Sequence, residues 1–183
     1  RVDALQQFGD AENDIKKIEH IDFNALIEES LDQSRPWWKD GMEKKGLCFK
    51  MITNFKNIPK FGGHKGVLKS AIHNLIKNSI EAMPEGGELK ITTSFRDKKV
   101  FATFTDTGIG MNEQTKTKVF EPFFSTKGFK LGRGLGMSGV YNTIKDYKGN
   151  IIVKASKPAE GTTFEISFPA IQKEEPQETM EAE

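Results

Sequence analysis

Between Gly66 and Met83 the apolar residues Leu68, Ile72, Leu75, Ile76 and Met83 gather on one face when the chain is wound at about 100° per residue. That period predicts a long helix, with Ala71, Asn74, Asn78 and Ala82 forming a stripe along its flank. Upstream, Asn24 reads as the N-cap of a helix running from Ala25 through Leu26, Ile27 and Leu31, and Pro36 as its stop or kink. Leu47, Phe49 and Met51 alternate with Cys48, Lys50 and Ile52 as in a strand, before a turn at Pro59 to Gly63. Pro84-Glu85-Gly86-Gly87 ends the long helix, and Glu88 to Phe95 and Lys99 to Thr105 predict a hairpin turned at Arg96-Asp97-Lys98. Met111 to Val119 predicts a short helix, while Phe120 to Arg133 shows no clean period and reads as a mobile loop. A second long helix is expected over Gly134 to Tyr147, and Asn150 to Ala155 with Thr162 to Phe168 form a closing strand pair.

The 183 residues, 36% hydrophobic and 29% charged, suit one soluble globular α/β domain. Lysine and arginine total 27 against 26 acidic residues, so no global field draws the chain to nucleic acid or anionic membrane. Cys48 is the only cysteine, which excludes an intrachain disulfide and a cysteine-rich metal site, and it reads as a buried small hydrophobe. Trp37 and Trp38 read as core or docking aromatics. No apolar run approaches the roughly 20 residues that span a bilayer, and the first residues lack signal-peptide order. The chain starts mid-pattern, as an excised fragment would. Val2, Leu5, Phe8, Ile15 and Ile18 fall at partly helical spacing, so residues 1–21 read as the tail of a preceding helical domain or a linker. Residues 22–170 make the domain, and the acidic residues 171–183 a disordered tail.

Two asparagines one turn apart beside an apolar face call for a reason, because asparagine competes for backbone hydrogen bonds inside a helix. A carboxamide oxygen is a neutral hard ligand suited to Mg²⁺ beside phosphate; alternatively both amides cap or crosslink neighbouring backbone. In the strand before Asp106-Thr107-Gly108-Ile109-Gly110-Met111, Val100, Ala102, Phe104 and Asp106 share one parity, which directs the carboxylate inward. An adenine amine would satisfy that carboxylate and guanine would not, while Gly108 and Gly110 let backbone turn close to base and sugar. The same hexapeptide could equally be a plain turn that starts a helix. In the second cluster, Gly132 to Met137, the run Gly134-Leu135-Gly136-Met137-Ser138-Gly139 opens a helix and suits a di- or triphosphate. Gly134 to Gly139 also matches G-x-G-x-x-G, yet no hydrophobic strand precedes it, and the P-loop pattern is absent. Between the clusters, Phe120, Phe123 and Phe124 could anchor a lid, with Lys127, Lys130 and Arg133 available to phosphates or simply solvated.

Taken together, Asn74-Leu75-Ile76-Lys77-Asn78-Ser79-Ile80-Glu81-Ala82, Asp106 to Gly110, Phe120-Glu121-Pro122-Phe123-Phe124 and Gly132 to Gly136 closely resemble the N, G1, F and G2 boxes of bacterial sensor histidine kinases. Gly161-Thr162-Thr163-Phe164 resembles the strand that ends that domain. The resemblance implies an α/β fold of GHKL ATPase/kinase type: a two-layer α+β sandwich with a mixed sheet against about three helices, and an ATP lid. It implies ATP and Mg²⁺ as ligands, with Asn78 holding the metal, Asn74 supporting it, and Asp106 reading adenine in a pocket shaped by Gly108 and Gly110. Gly132, Gly134, Leu135 and Gly136 would let the lid close, and Lys127 would contact phosphate. The implied reaction moves the γ-phosphoryl group to a histidine on a dimerisation domain of the same parent protein, for relay to a response-regulator aspartate. The parent would be a cytoplasmic-facing homodimer, its membrane attachment left open, and nucleic acid would play no part.

None of His20, His64 and His73 lies in the family's phosphoacceptor pattern, so the acceptor is expected outside this chain. Arg133 stands where a small polar residue is commoner in the family, and is read as facing solvent. Related ATPases of chaperone, gyrase and mismatch-repair type carry a glutamate base where this chain has Asn74, and an amide cannot take a proton from water. An anti-sigma-type serine kinase, a degenerate nucleotide-sensing scaffold and a dinucleotide-binding Rossmann protein are the remaining alternatives.

Overall fold

Alternation along the strands decides which face of the sheet the helices cover. The computed structural model describes residues 18–40, 46–124 and 136–171. A five-stranded mixed sheet is built from β2 (Phe49–Asn54), β4 (Gly87–Arg96), β5 (Lys99–Asp106), β6 (Asn150–Lys157) and β7 (Gly161–Pro169), in the spatial order β2-β4-β5-β7-β6. Only β2 and β4 run parallel; the other neighbours are antiparallel. One face carries Leu89, Ile91, Val100, Ala102, Phe104, Ile151, Phe164, Ile166 and Phe168, all buried. The period of two puts Lys90, Thr92, Thr103, Thr105, Thr163 and Glu165 on the other face. Glu165 is nearly buried there; burial alone would raise its pKa, but hydrogen bonds from Lys154 (2.8 Å) and Arg96 (3.1 Å) outweigh it and hold the carboxyl below its ordinary value.

Three helices close the apolar face: α1 (Phe23–Arg35), α2 (Lys65–Glu81) and α4 (Gly136–Asp146), with α2 in the middle touching both others. A short α3 (Glu113–Lys118) is capped by Asn112, whose side chain accepts from the Thr115 amide at 2.8 Å. Two further strands, β1 (Glu19–Ile21) and β3 (Phe61–Gly63), pair antiparallel with Ile21 opposite Phe61. This small sheet is joined to the core by three fully buried rings. Phe61 stacks on Phe168 with centroids 4.1 Å apart, and Phe23 meets both edge-on, at 5.2 and 5.5 Å.

Several expectations need correction. The N-cap of α1 is Asp22, whose carboxylate accepts from the Ala25 amide at 3.1 Å. Phe23 must start the helix to reach the aromatic cluster, which places Asn24 inside it. The Asn24 amide works at long range instead, donating to the Lys56 carbonyl and accepting from Thr93, each at 2.9 Å. Glu19–Ile21 is strand where a helical tail was expected, so the folded unit extends upstream of residue 22, and the turn expected at Pro59 to Gly63 supplies its partner. Cys48 is exposed. Its parity opposes that of Phe49 and Met51, and its contribution is the carbonyl, which accepts from the Gly87 amide at 3.0 Å. Past Pro36 the chain continues as a π-helical turn over Pro36–Asp40, and Trp38 packs half-buried against Phe49. The Trp37 side chain, the loop beyond Phe124 as far as Leu135, and residues 172–183 lie outside the described residues. Among the described residues no helix is long and apolar enough to cross a membrane.

Phe168→Ala should remove the ring on which both Phe61 and Phe23 rest. A loss of about 3–5 kcal/mol is expected, read as a lower urea midpoint with an unchanged slope.

Candidate functional site

The helix that anchors the core also forms one wall of a cleft. Leu68, Ile72, Leu75 and Ile76 on α2 are fully buried, and the flank beside them presents Asn74, exposed, and Asn78, half-buried. Both amides line a cleft of about 670 Å³, together with Lys77, Ser79, Asp106, Gly110 and Gly136. That volume lies within the range of ordinary ligand sites, about 300–1,000 Å³. Gly136, the first residue of α4, brings the second glycine cluster to the asparagines: a Cβ placed on it would stand 3.7 Å from the Asn78 amide nitrogen. The remaining expected residues of that cluster, Gly132, Gly134 and Leu135, and also Lys127 and Arg133, lie outside the described residues.

At the floor, Asp106 ends β5 and is 2% exposed. One carboxylate oxygen accepts two backbone N–H groups, from Gly108 at 2.9 Å and from Thr162 at 3.1 Å. Burial pushes the Asp106 pKa up, opposed by those two bonds and by the Ser79 hydroxyl, and the net shift is upward. An acceptor-only group is thus held in a nearly dry place at the bottom of a cleft, where an N–H donor on a ligand would satisfy it.

The backbone beyond Asp106 folds too tightly for side chains. A Cβ on Gly108 would lie 2.5 Å from the Ala82 carbonyl oxygen, which already accepts from the Ile109 amide at 2.9 Å. Gly110 has φ +65°, and a Cβ there would come within 1.8 Å of the Lys157 carbonyl oxygen. The loop is therefore fixed to the end of α2 on one side and to the β6–β7 turn on the other. Across the sheet, the Ser156 hydroxyl accepts from the Met111 amide at 2.8 Å and shares a proton with the Thr162 hydroxyl at 2.9 Å. Thr162 and Ser156 were not singled out as site residues from the sequence. Thr162 was within reach of it, because it ends the same inward row of β7 that Asp106 ends on β5, and the register pairs the two. Ser79 was also passed over, although it directly follows Asn78.

The phenylalanine-rich segment divides its labour. Phe120 is anchored, with ring centroids 5.3 Å from Tyr141 and 6.3 Å from Phe164; Phe124 lines the cleft, and Phe123 is 82% exposed. Among the described residues no group of three His, Cys, Asp or Glu side chains gathers as a metal centre. A cation here would take its oxygens from a bound phosphate and from neutral amides such as that of Asn78, which is the donor set Mg²⁺ accepts. The half-buried Asn78 amide facing open cleft volume fits that role.

Residues 63–172 match the family described as histidine kinase-, DNA gyrase B- and HSP90-like ATPase. Sporulation kinase A of Bacillus subtilis (strain 168) is 40% identical over 107 residues, covering 58% of this chain and 17% of that protein. The chain spans less than a third of the length of the first curated relatives it matches. Among solved structures, the catalytic domain of histidine kinase ThkA superposes with a TM-score of 0.67 at 28% identity, covering 84% of this chain and 96% of that one. ShkA, solved at full length in complex with AMPPNP, shares the fold with a TM-score of 0.71 at 21% identity, covering 86% of this chain and 32% of that one.

Because its folded pKa is raised, the ionised Asp106 costs stability above that pKa, and the cost is absent below the ordinary aspartate range. Asp106→Asn keeps the acceptor oxygen and removes the charge. Urea titrations of the unliganded variant should therefore give a midpoint at neutral pH no lower than the parent's, with any advantage shrinking as the pH falls toward 4.

Proposed function

The chain belongs to the histidine kinase-, DNA gyrase B- and HSP90-like ATPase family as a histidine-kinase ATPase domain, and on that premise we propose how its cleft works and what it serves. The carrying observation is Asp106: a buried, acceptor-only carboxylate at the floor of a cleft whose upper wall bears Asn74 and Asn78. In our reading Asp106 accepts the exocyclic amine of adenine, and Gly108 and Gly110 allow the tight turn that shapes the pocket around the base. The triphosphate then runs along α2 toward Gly136. Asn78 holds Mg²⁺, with Asn74 one turn earlier supporting it; the ion would neutralise charge building on the phosphates. Gly132, Gly134 and Leu135 belong to the lid in this proposal, and Lys127 is its phosphate contact.

The proposed reaction is attack of an imidazole nitrogen on the γ-phosphorus, with the bond to the β-γ bridging oxygen breaking and ADP leaving. Such a transfer asks the protein chiefly for positioning and charge neutralisation, because the acceptor imidazole brings its own nucleophile. Asn74 supports transfer over hydrolysis, because its amide cannot deprotonate water. The acceptor histidine is proposed to lie on a helical dimerisation domain of the parent homodimer, with a response regulator receiving the phosphoryl group next, on the cytoplasmic side where ATP is found. Two of the chain's own histidines are engaged within the fold, His64 with the Tyr147 hydroxyl at 2.8 Å and His73 with Ser34 at 3.3 Å.

Mg-ATP at a hundredfold excess over its Kd should stabilise the domain by about 2.7 kcal/mol, a rise of about 5–10 °C in Tm at this chain length. Asp106→Asn should abolish the rise; an unmoved Tm at millimolar ATP in the parent would refute nucleotide binding. Given γ-labelled ATP and a histidine-bearing helical fragment, the chain should transfer label to the fragment, and Asn78→Ala should cut that transfer about 10- to 100-fold. Release of free phosphate with no labelled fragment would instead establish a hydrolase.

A further inference from the structure

Ser79 behaves unlike Ser30, Ser34 and Ser70, three other serines inside helices. Ser30, Ser34 and Ser70 each donate to the carbonyl one turn earlier, at 2.8, 2.8 and 3.1 Å, the usual resting place for a serine inside a helix. Ser79 is 2% exposed, yet its hydroxyl is buried without a regular hydrogen bond to any described residue. It lines the cleft, and its hydroxyl opposes the burial-driven rise of the Asp106 pKa. A buried hydroxyl left unpaired is costly, and a group kept that way at the floor of a ligand cleft is available to a ligand. Asp106, meanwhile, takes both backbone donors on one carboxylate oxygen and lines the same cleft. The floor thus offers an acceptor beside a hydroxyl donor.

That pair is complementary to one purine edge. Adenine presents an amine donor next to a ring-nitrogen acceptor, N1; guanine presents a carbonyl oxygen next to a ring N–H. We propose that Ser79 is a base-specificity residue, its hydroxyl serving as the donor for adenine N1 while the Asp106 carboxylate accepts the exocyclic amine. The inference rests on the ATP reading of the cleft and adds a second contact to it. The two residues then have separable effects. Asp106 rejects guanine, because two acceptors would face each other, whereas Ser79 can turn its hydroxyl to accept and so adds adenine affinity more than it excludes guanine.

The test uses ATP and 1-deaza-ATP, in which N1 is replaced by CH, titrated with Mg²⁺ onto the parent chain, Ser79→Ala and Ser79→Thr. The parent should bind ATP about 3- to 10-fold tighter than the deaza analogue, the range of one neutral hydrogen bond. Ser79→Ala should bind both nucleotides alike, near the parent's affinity for the analogue, and Ser79→Thr should recover part of the preference. A serine that only supports Asp106 predicts something else: Ser79→Ala weakens both nucleotides equally and keeps the preference, with N1 served by another donor such as Thr162. That outcome, or a parent with no preference, overturns the assignment while leaving ATP binding intact. A parent that binds neither nucleotide overturns the ATP reading itself, and this inference with it.

Discussion

Burial of the Asp106 carboxylate is the constraint from which the rest of the cleft follows. A charge placed almost out of water at the end of a central strand must be met by donors, and the nearest are backbone amides. Reaching back to it from Gly108 forces the chain to reverse within two residues. The reversal presses Gly108 against the Ala82 carbonyl and Gly110 against the Lys157 carbonyl, so neither position tolerates a Cβ. The second amide, from Thr162, requires β7 to pair with β5 in one register, because a slip of one residue would turn Thr162 and its whole inward row to the opposite face. One carboxylate therefore ties together the end of α2, the loop after β5 and the β6–β7 turn.

At the opposite end the structure relies on apolar contact instead. Phe23, Phe61 and Phe168 bring the start of α1, the small β1–β3 sheet and the far end of β7 into one cluster with no charge to satisfy. The central strands β5 and β7 run from this aromatic cluster to the polar floor of the cleft, and α2 lies across the same apolar face. Rigid aromatic packing at one end thus holds the register on which the hydrogen bonds at the other end depend. The polar outer face of the sheet, with Glu165 held between Lys154 and Arg96, completes the layer without competing for the core.

Periodicity carried most of the fold. The α2 stripe, the hairpin and the inward parity of Asp106 all follow from spacing alone, since each concerns residues close in sequence. What escaped was decided across long separations. Asp22 rather than Asn24 caps α1, because the helix must start where Phe23 can reach Phe61 and Phe168, and both residue types cap equally well locally. Glu19–Ile21 is strand because Phe61–Gly63, far along the chain, is available to pair with it. Cys48 escaped for a different reason: its residue type suggests burial, yet it stands just before β2 at the parity opposite to Phe49 and Met51 and is exposed. Within the site, the side chains with distinctive chemistry, Asn74, Asn78 and Asp106, stood out. Ser79 and Thr162 did not, because a serine or threonine has no character until its partners, or their absence, are known.

Chemically the cleft is unequal along its length. Its floor is committed, with a fixed acceptor, a buried hydroxyl and glycines pressed against the Ala82 and Lys157 carbonyls. On its upper wall Asn74 and Asn78, beside Lys77 and Glu81 of the same helix, carry neutral amides that neither donate nor withdraw a proton near neutral pH. A hydrolase needs a base at that end to activate water, and amides leave water a poor nucleophile. An incoming imidazole already has its lone pair in place and needs only alignment with the phosphorus, so the same amides are sufficient for transfer. In the proposed reaction the turnover rate is then governed by how often an acceptor histidine is presented in line at the open end. On that proposal the domain contributes nucleotide recognition, and control lies with whatever positions the histidine.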